Sequence, residues 1–352
     1  MKPSIEINSR HIGLGYPTYI IAEMSANHNQ DFDQAVKIIE AAKSSGADAI
    51  KLQTYTPDTL TIDCDNEYFR IGKGTIWEGR NLYDLYSEAY MPWEWQPKLK
   101  AIAEDLGIDL FSTAYDSSSV DFLEEMGVPV HKVASFENVD IPLIEKMAHT
   151  GKPLIISTGM TTLGEIEEAV QAARNAGVTR IALLKCTSAY PAPPEEMNLR
   201  TISYLAKAFG VPMGLSDHTL GIAVPVAAVA LGACIVEKHL TLSRDTPGPD
   251  SAFSLEPQEF KAMVEAIRVA EKALGEVRYE VTKSEAASRV FRRSLFVVQD
   301  VKAGEVFTEE NVQSIRPGYG LHTRHLEEVI GRYASRDIKH GTPLDWCHIA
   351  GN

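Results

Sequence analysis

The sequence predicts a (β/α)8 barrel followed by a small, mostly β domain. Three observations carry that expectation. Short, β-rich apolar runs alternate with amphipathic segments of helix length, which implies a parallel sheet with helices outside it. Eight such strand–helix units fall between Tyr19 and Leu274, about the length that a (β/α)8 barrel takes. Beyond Gly275 the helical period stops and turn residues multiply. An open doubly wound sheet is the alternative, weakened because no Gly-x-Gly-x-x-Gly follows the first strand.

The elements follow in order. Tyr19 to Glu23 is the first strand, and a helix from Phe32 to Ser45 is stopped by Gly46. Ala49 to Gln53 is the second strand. The segment from Thr54 to Tyr90 is irregular, rich in tyrosine, and contains Trp77. It is too long for an ordinary connection and reads as a lid or binding loop. A helix from Trp93 to Leu106 ends at Gly107. Further strands are predicted at Asp109–Thr113, Val130–Val133, Leu154–Ser157, Ile181–Lys185, Met213–Ser216 and Cys234–His239. The helices between and after them cover Ser117–Met126, Ile141–His149, Leu163–Asn175, Leu199–Phe209, Leu220–Leu231 and Pro257–Leu274. The expected organisation is a barrel over 1–275, a charged linker over 276–290 and a β domain over 291–352. Strand-like runs in that last domain are Ser294–Val298 and Tyr333–Ser335.

Composition narrows the function classes. A net charge of −14 offers no sustained basic stripe for nucleic acid. The four cysteines are widely spaced, with no C-x-x-C, and suit a reducing compartment. The N-terminus lacks the apolar core of a signal peptide. The longest apolar run, Gly221 to Val236, is broken by proline and glycine and is short for a membrane span. These features lead to the expectation of a cytoplasmic protein that binds neither nucleic acid nor membrane.

Barrel sites lie at the C-terminal strand ends, on side chains that point inward, and residues two apart share a face of a strand. At those ends lie Glu23, Lys51 and Gln53, Thr113, Lys132 and Ser135, Ser157, Lys185, Ser216 with His218, and Glu237 with His239. Lysines and hydroxyls together suit a phosphate, and neutral imidazoles suit a first-row divalent metal. The stretch from Gly214 to Asp250 holds both candidate metal ligands, His218 and His239. The plainer alternatives are a hydrogen-bonded turn histidine at 218, a satisfied core histidine at 239 and a structural barrel carboxylate at Glu237. Lys238 points outward by parity and receives no chemical role. His28 is either a turn residue or a substrate contact. The acidic run Glu165 to Glu168 reads as a solvated helix start.

The ordered stretches IAEMSANHNQ, AIKLQTY, FSTAYD, KVAS, IISTGM, CTSAYPAP, GLSDHTLG, EKHLTLSRDTPGPD, SLEP and RPGYG resemble the sialic acid synthases. That family condenses phosphoenolpyruvate with an amino-sugar aldose to make nonulosonic acids. The match spans residues 20 to 320, and the tail resembles the family's C-terminal antifreeze-like (SAF, β-clip) domain. Ser25-Ala26, Gln30 and Asp250-Ser251-Ala252-Phe253-Ser254 look like the pseudaminate branch; the N-acetylneuraminate branch usually reads AEIG-x-NH-x-G at the first of these places. The resemblance implies a transferase with a phosphoenolpyruvate site at Lys51, Thr113, Lys132, Ser135, Ser157, Ser188 and Ser216. It implies a divalent metal, manganese or magnesium, on His218 and His239. It puts Gln53, Tyr190, Glu237, Asp250 and Arg316 on the sugar side. It also implies a swapped homodimer, with Arg316 offered by the partner's cap domain.

The chemistry that the resemblance implies is attack of carbon 3 of phosphoenolpyruvate on an open-chain sugar aldehyde, and Glu23, at a strand end near the lysines, is the candidate for handling the water or its proton. The branch points to 2,4-diacetamido-2,4,6-trideoxy-altrose as acceptor and pseudaminate as product. N-acetylneuraminate or legionaminate synthesis, a Schiff-base aldolase using Lys185 or Lys51, and a non-catalytic carbohydrate-binding barrel are the competing readings.

Overall fold

The computed structural model describes residues 3–351. Before the first barrel strand lies an antiparallel hairpin, β1 (Ser4–Ile7) and β2 (Arg10–Gly13), in a segment whose periodicity predicts no element. Its two loop residues, Asn8 and Ser9, both take positive φ, as a two-residue hairpin loop of the I′ kind requires. Ile5, Ile7 and Ile12 are buried in one cluster with Tyr19, Ala49 and Leu154, which lie in the first halves of barrel strands. The hairpin therefore plugs the N-terminal end of the barrel.

The strands β3 (Tyr19–Glu23), β4 (Ala49–Thr54), β5 (Asp109–Ala114), β6 (His131–Val133), β7 (Leu154–Ser157), β8 (Ile181–Cys186), β9 (Met213–Asp217) and β10 (Ile235–His239) close into a parallel barrel. The closing ladder joins β10 to β3 and sets His239 opposite Glu23. Side chains alternate along these strands. On β3, Ile20 and Ala22 pack outward with Ile38 and Ile39, while Tyr19 and Ile21 belong to the other cluster, with the hairpin.

The helices α1 (Phe32–Ser44), α2 (Pro57–Leu60), α3 (Leu82–Ala89), α4 (Gln96–Leu106), α5 (Ser117–Met126), α6 (Ile141–His149), α7 (Leu163–Asn175), α8 (Arg200–Phe209), α9 (Ala223–Ala230) and α10 (Pro257–Leu274) follow the strands. Local chemistry sets their ends. Asp31 caps α1 by accepting from the N–H groups of Asp33 and Gln34. Thr162 and Glu165 form a capping box at the start of α7, so the acidic run begins as a cap and continues toward solvent. Gly107, Gly127 and Gly210 end α4, α5 and α8 in the left-handed conformation. The segment expected to be irregular between Thr54 and Tyr90 contains α2 and the two-turn α3, started by Asn81. The tyrosines there obscured its helical period.

The chain divides into two compact units, Met1–Gly275 and Glu276–Asn352. In the second, β11 (Ser294–Val297) pairs antiparallel with β12 (Val312–Ile315). Its core gathers Leu295, Val301, Phe307, Val329 and Leu344. The residues expected as a linker carry α11 (Lys283–Ala286), and α12 (Leu326–Val329) lies in the tail. Tyr333 to Ser335 is not a strand; Tyr333 and Ala334 make single bridges to Val306 and Ile349. Among the described residues, no helix is long and apolar enough to cross a membrane.

Gly214 shows how closely β9 lies against its neighbours. A Cβ there would stand 2.5 Å from Leu184 Cδ2 and 2.6 Å from the Ile235 carbonyl oxygen. Gly214→Val should therefore destabilise the barrel by roughly 1–3 kcal/mol through overpacking. Thermal or urea melting checks this, with full wild-type stability as the contrary result.

Candidate active site

At the C-terminal ends of the barrel strands, inward parity brings charged and hydroxyl groups together. Lys51, on β4, is the hub. Its Nζ lies 3.1 Å from Glu23 Oε2 and 3.4 Å from Glu237 Oε1, and donates to Thr113 Oγ1 at 3.0 Å. Ser216 Oγ donates to Glu237 at 3.0 Å. Gln53 Nε2 bridges Glu23 Oε1 and Ser25 Oγ at 2.9 and 2.8 Å. All the charged groups here are buried, and each has an opposite partner, as burial of charge demands.

A second cluster lies on β6 to β8. Lys132 Nζ donates to Ser157 Oγ and to the Val133 carbonyl, each at 2.7 Å. The Gly159 N–H donates to Ser135 Oγ at 3.1 Å. A Cβ on Gly159 would collide with Ser188 Oγ and come within 2.7 Å of Ser135 Oγ. Glycine is required where these two hydroxyls converge. Lysine, three serines and a backbone N–H make a donor-rich cradle suited to an oxyanion.

The third group is aromatic. The His218 and His239 rings lie 5.3 Å apart between centroids. Tyr190 packs on His218 at 4.4 Å, and Phe253 on His239 at 5.0 Å. Trp77 reaches from the segment between β4 and β5, contacts Tyr190 and Phe253, and donates its ring N–H to the Pro249 carbonyl at 3.0 Å. His218 Nδ1 faces the Thr187 carbonyl at 3.1 Å, which leaves Nε2 as the nitrogen not engaged by that carbonyl. His239 Nδ1 is buried without a hydrogen-bond partner. Asp250 accepts from Ser25 Oγ and from the Ala26 N–H, tying the loop after β10 to the end of β3.

Burial and neighbours divide the titration behaviour. Burial opposes the charge on Lys51, but Glu23 and Glu237 outweigh it and hold its pKa above the usual range. Burial brings Lys132 down to about 8, against the opposing pull of Glu237. Burial also raises Glu23, with Lys51 opposing and Glu237 reinforcing. Glu237 goes the other way: against burial, Lys51 and Lys132 keep it ionised. Two neighbouring carboxylates pushed apart in this way can serve as a proton carrier and a fixed charge. Burial, then His218, Lys51 and Lys238, holds His239 well below the ordinary imidazole range, so it is neutral.

Every expected site residue of the first unit lies at this end of the barrel. Arg316 lies in the second unit, exposed beside Arg292 and Arg293 in a groove of that unit. His28 makes a turn contact through Nδ1, which accepts from the Gln30 N–H at 2.9 Å; its ring meets Trp95 edge-on, and its Nε2 is buried without a hydrogen-bond partner. Lys185 donates to the Cys186 carbonyl and Thr187 Oγ1, away from the carboxylates. Glu137 was missed in sequence. Its Oε2 is buried without a partner, and burial raises its pKa to about 7 while Lys132 pulls it down. It lies two residues past Ser135, in a turn after β6 that carries no strand parity to mark it.

A parallel barrel with buried lysines, paired carboxylates and facing imidazoles at its C-terminal rim is the build of a (β/α)8 enzyme. The chain belongs to the NeuB family, whose model matches residues 38–279; a SAF domain matches residues 292–350. Pseudaminic acid synthase of Helicobacter pylori is 45% identical over 329 residues, 93% of this chain and 96% of that protein. N,N'-diacetyllegionaminic acid synthase of Legionella pneumophila is 37% identical over 96% of each chain. The crystal structure of N-acetylneuraminic acid synthetase from Leptospira borgpetersenii in complex with citrate has a TM-score of 0.73 and 32% identity. It covers 82% of this chain and 95% of its own.

Oxyanion binding to the Lys132 cradle should weaken as pH rises through about 8, because the ammonium form is the one that pairs with the anion. Titration calorimetry with inorganic phosphate at several pH values checks this. Lys132→Met should abolish the dependence, and an unchanged profile in that variant would refute the assignment.

Proposed function

We propose that this protein is a pseudaminic acid synthase, a transferase that condenses phosphoenolpyruvate and water with 2,4-diacetamido-2,4,6-trideoxy-altrose to give pseudaminate and phosphate. The observation that carries this reading is the adjacency, in one barrel mouth, of a lysine–serine cradle and a facing imidazole pair. One suits a phosphorylated enol acid and the other an aldehyde acceptor. The 45% identity to proteins named pseudaminic acid synthase supports the branch.

Lys132, Ser135, Ser157 and Ser188 hold the phosphate end of phosphoenolpyruvate. Lys51, Thr113 and Ser216 face the remainder of that substrate. Carbon 3 attacks the aldehyde carbon, and positive charge develops at carbon 2. Glu237, kept ionised, stabilises that charge. Water adds at carbon 2, and the carbon–oxygen bond to phosphate then breaks. Glu23 takes one proton of the water, since its raised pKa suits proton transfer near neutrality, and that proton balances the one gained by the former aldehyde oxygen; the second leaves with phosphate as carbon 2 becomes a ketone. Glu137, beside the cradle, is the second candidate for a proton role. Gln53, Tyr190 and Asp250 orient the sugar. Lys51 is held charged between two carboxylates, which disfavours it as a Schiff-base nucleophile.

The residues fit a divalent cation, manganese or magnesium. The unpartnered Nδ1 of neutral His239 and the facing ring of His218 offer imidazole nitrogen. Among the described residues no cluster of three His, Cys, Asp or Glu side chains completes a closed site. The cation, when bound, supplies Lewis-acid polarisation of the aldehyde oxygen.

The division into a barrel over 1–275, a linker over 276–290 and an antifreeze-like domain over 291–352 belongs to the same reading, supported by the SAF match. In it the protein works in the cytoplasm as a swapped homodimer, and the exposed Arg316 of one copy reaches the sugar of the other.

Phosphate release from phosphoenolpyruvate tests the function. It should be rapid with the trideoxy diacetamido sugar and at least tenfold slower with N-acetylmannosamine; the opposite order would move the protein to the neuraminate branch. Absence of release with every nonulosonic-acid precursor would favour a carbohydrate-binding barrel. Chelation by EDTA should abolish turnover and manganese should restore it, and full activity in EDTA would remove the metal from the scheme.

A further inference from the structure

Behind the two histidines, on the outward face of the same strand ends, lies a buried ion pair that the proposed chemistry does not use. Lys238 Nζ lies 2.6 Å from Asp217 Oδ2, and both side chains are fully buried. Lys238 also donates to the Thr219 carbonyl. Asp217 accepts from the Thr219 N–H and from Thr219 Oγ1, each at 3.1 Å. The residues on both sides of His218 are thus held by one charge cluster, and Lys238 immediately precedes His239.

The β9–β10 ladder explains why such a device matters. Its register runs Val236 with Leu215, Glu237 with Ser216, and Lys238 with Asp217. The ion pair occupies the last rung. His218 and His239 come one residue later, beyond the point where that ladder ties their backbones together. His239 is tied on its other side to Glu23 by the β10–β3 ladder, and the His218 carbonyl accepts from the Ala192 N–H, but between β9 and β10 the rung just below is the link nearest the two rings, 5.3 Å apart. Two fully buried charges are a poor way to add stability, because well-packed apolar residues of similar volume often serve as well or better. A geometric role accounts for their presence.

We propose that Asp217 and Lys238 are a positioning pair that sets the spacing and orientation of His218 and His239. The pair touches no reacting atom. It acts through the turn at Thr219 and through the shared rung, so that both imidazoles present their nitrogens to one point. This inference rests on the metal role proposed for the two histidines.

The test is manganese affinity by titration calorimetry on the full-length protein, with thermal melting and phosphoenolpyruvate binding measured in parallel. The apolar pair Asp217→Leu with Lys238→Met should keep a wild-type melting temperature within a few degrees and unchanged phosphoenolpyruvate affinity. Its manganese affinity should fall about 10–100-fold, as for other changes behind metal ligands. Wild-type manganese affinity in the folded double variant would overturn the proposal, because a barrel staple with no role toward the histidines predicts that result. If the double variant does not fold, Asp217→Asn, which keeps the volume and the Thr219 turn, should show the same selective loss, and its absence is equally contrary. His218→Ala separates the two levels. If it binds manganese as the wild type does, the metal reading itself fails; if it alone loses the metal, only the positioning pair fails.

Discussion

Pairing of β10 with β3 is the contact on which the site depends. It closes the sheet, so that no strand edge is left unpaired. It also brings the last barrel strand beside the first and sets His239 level with Glu23. Lys51, one strand further on, then lies between carboxylates from both ends of the barrel. Without closure Glu23 and Glu237 would not share a cation, and none of the three charges would be tolerated in the interior.

Within that frame the two interior lysines differ because their neighbours differ. Lys51 is flanked by carboxylates and stays charged. Lys132 has a hydroxyl and a carbonyl as its direct partners and sits near its titration point, about 8. One is a fixed charge at the centre of the mouth, and the other responds to an arriving anion. The carboxylates divide in the same way, Glu23 upward and Glu237 downward. The aromatic wall of Trp77, Tyr190 and Phe253 covers the imidazole side. The mouth is consequently cationic and hydroxylic on one flank and apolar on the other.

Much of this was legible from local pattern. Alternation located all eight barrel strands. Two-residue parity placed Lys51 with Gln53, Ser216 with His218 and Glu237 with His239 on inward faces, and put Lys238 outside. Turns and short segments carry no such parity. Glu137 lies in a turn, and its importance comes from burial beside Lys132. The β1–β2 hairpin has strands of four residues each, too short to stand out before the first barrel strand. The tyrosines between Thr54 and Tyr90 masked α3, and nothing local indicates that Trp77 reaches Pro249.

Periodicity, capping residues and the polar ends of apolar runs are local properties, written along the chain, and they dictate a barrel with a charged rim. Which charges neutralise one another is a property of distance. Lys51 meeting Glu237, His218 facing His239, and Asp217 bonding Lys238 all join residues on different strands. Only closure of the barrel brings them within a few ångströms, where Coulomb attraction and desolvation become strong enough to decide which groups hold a proton.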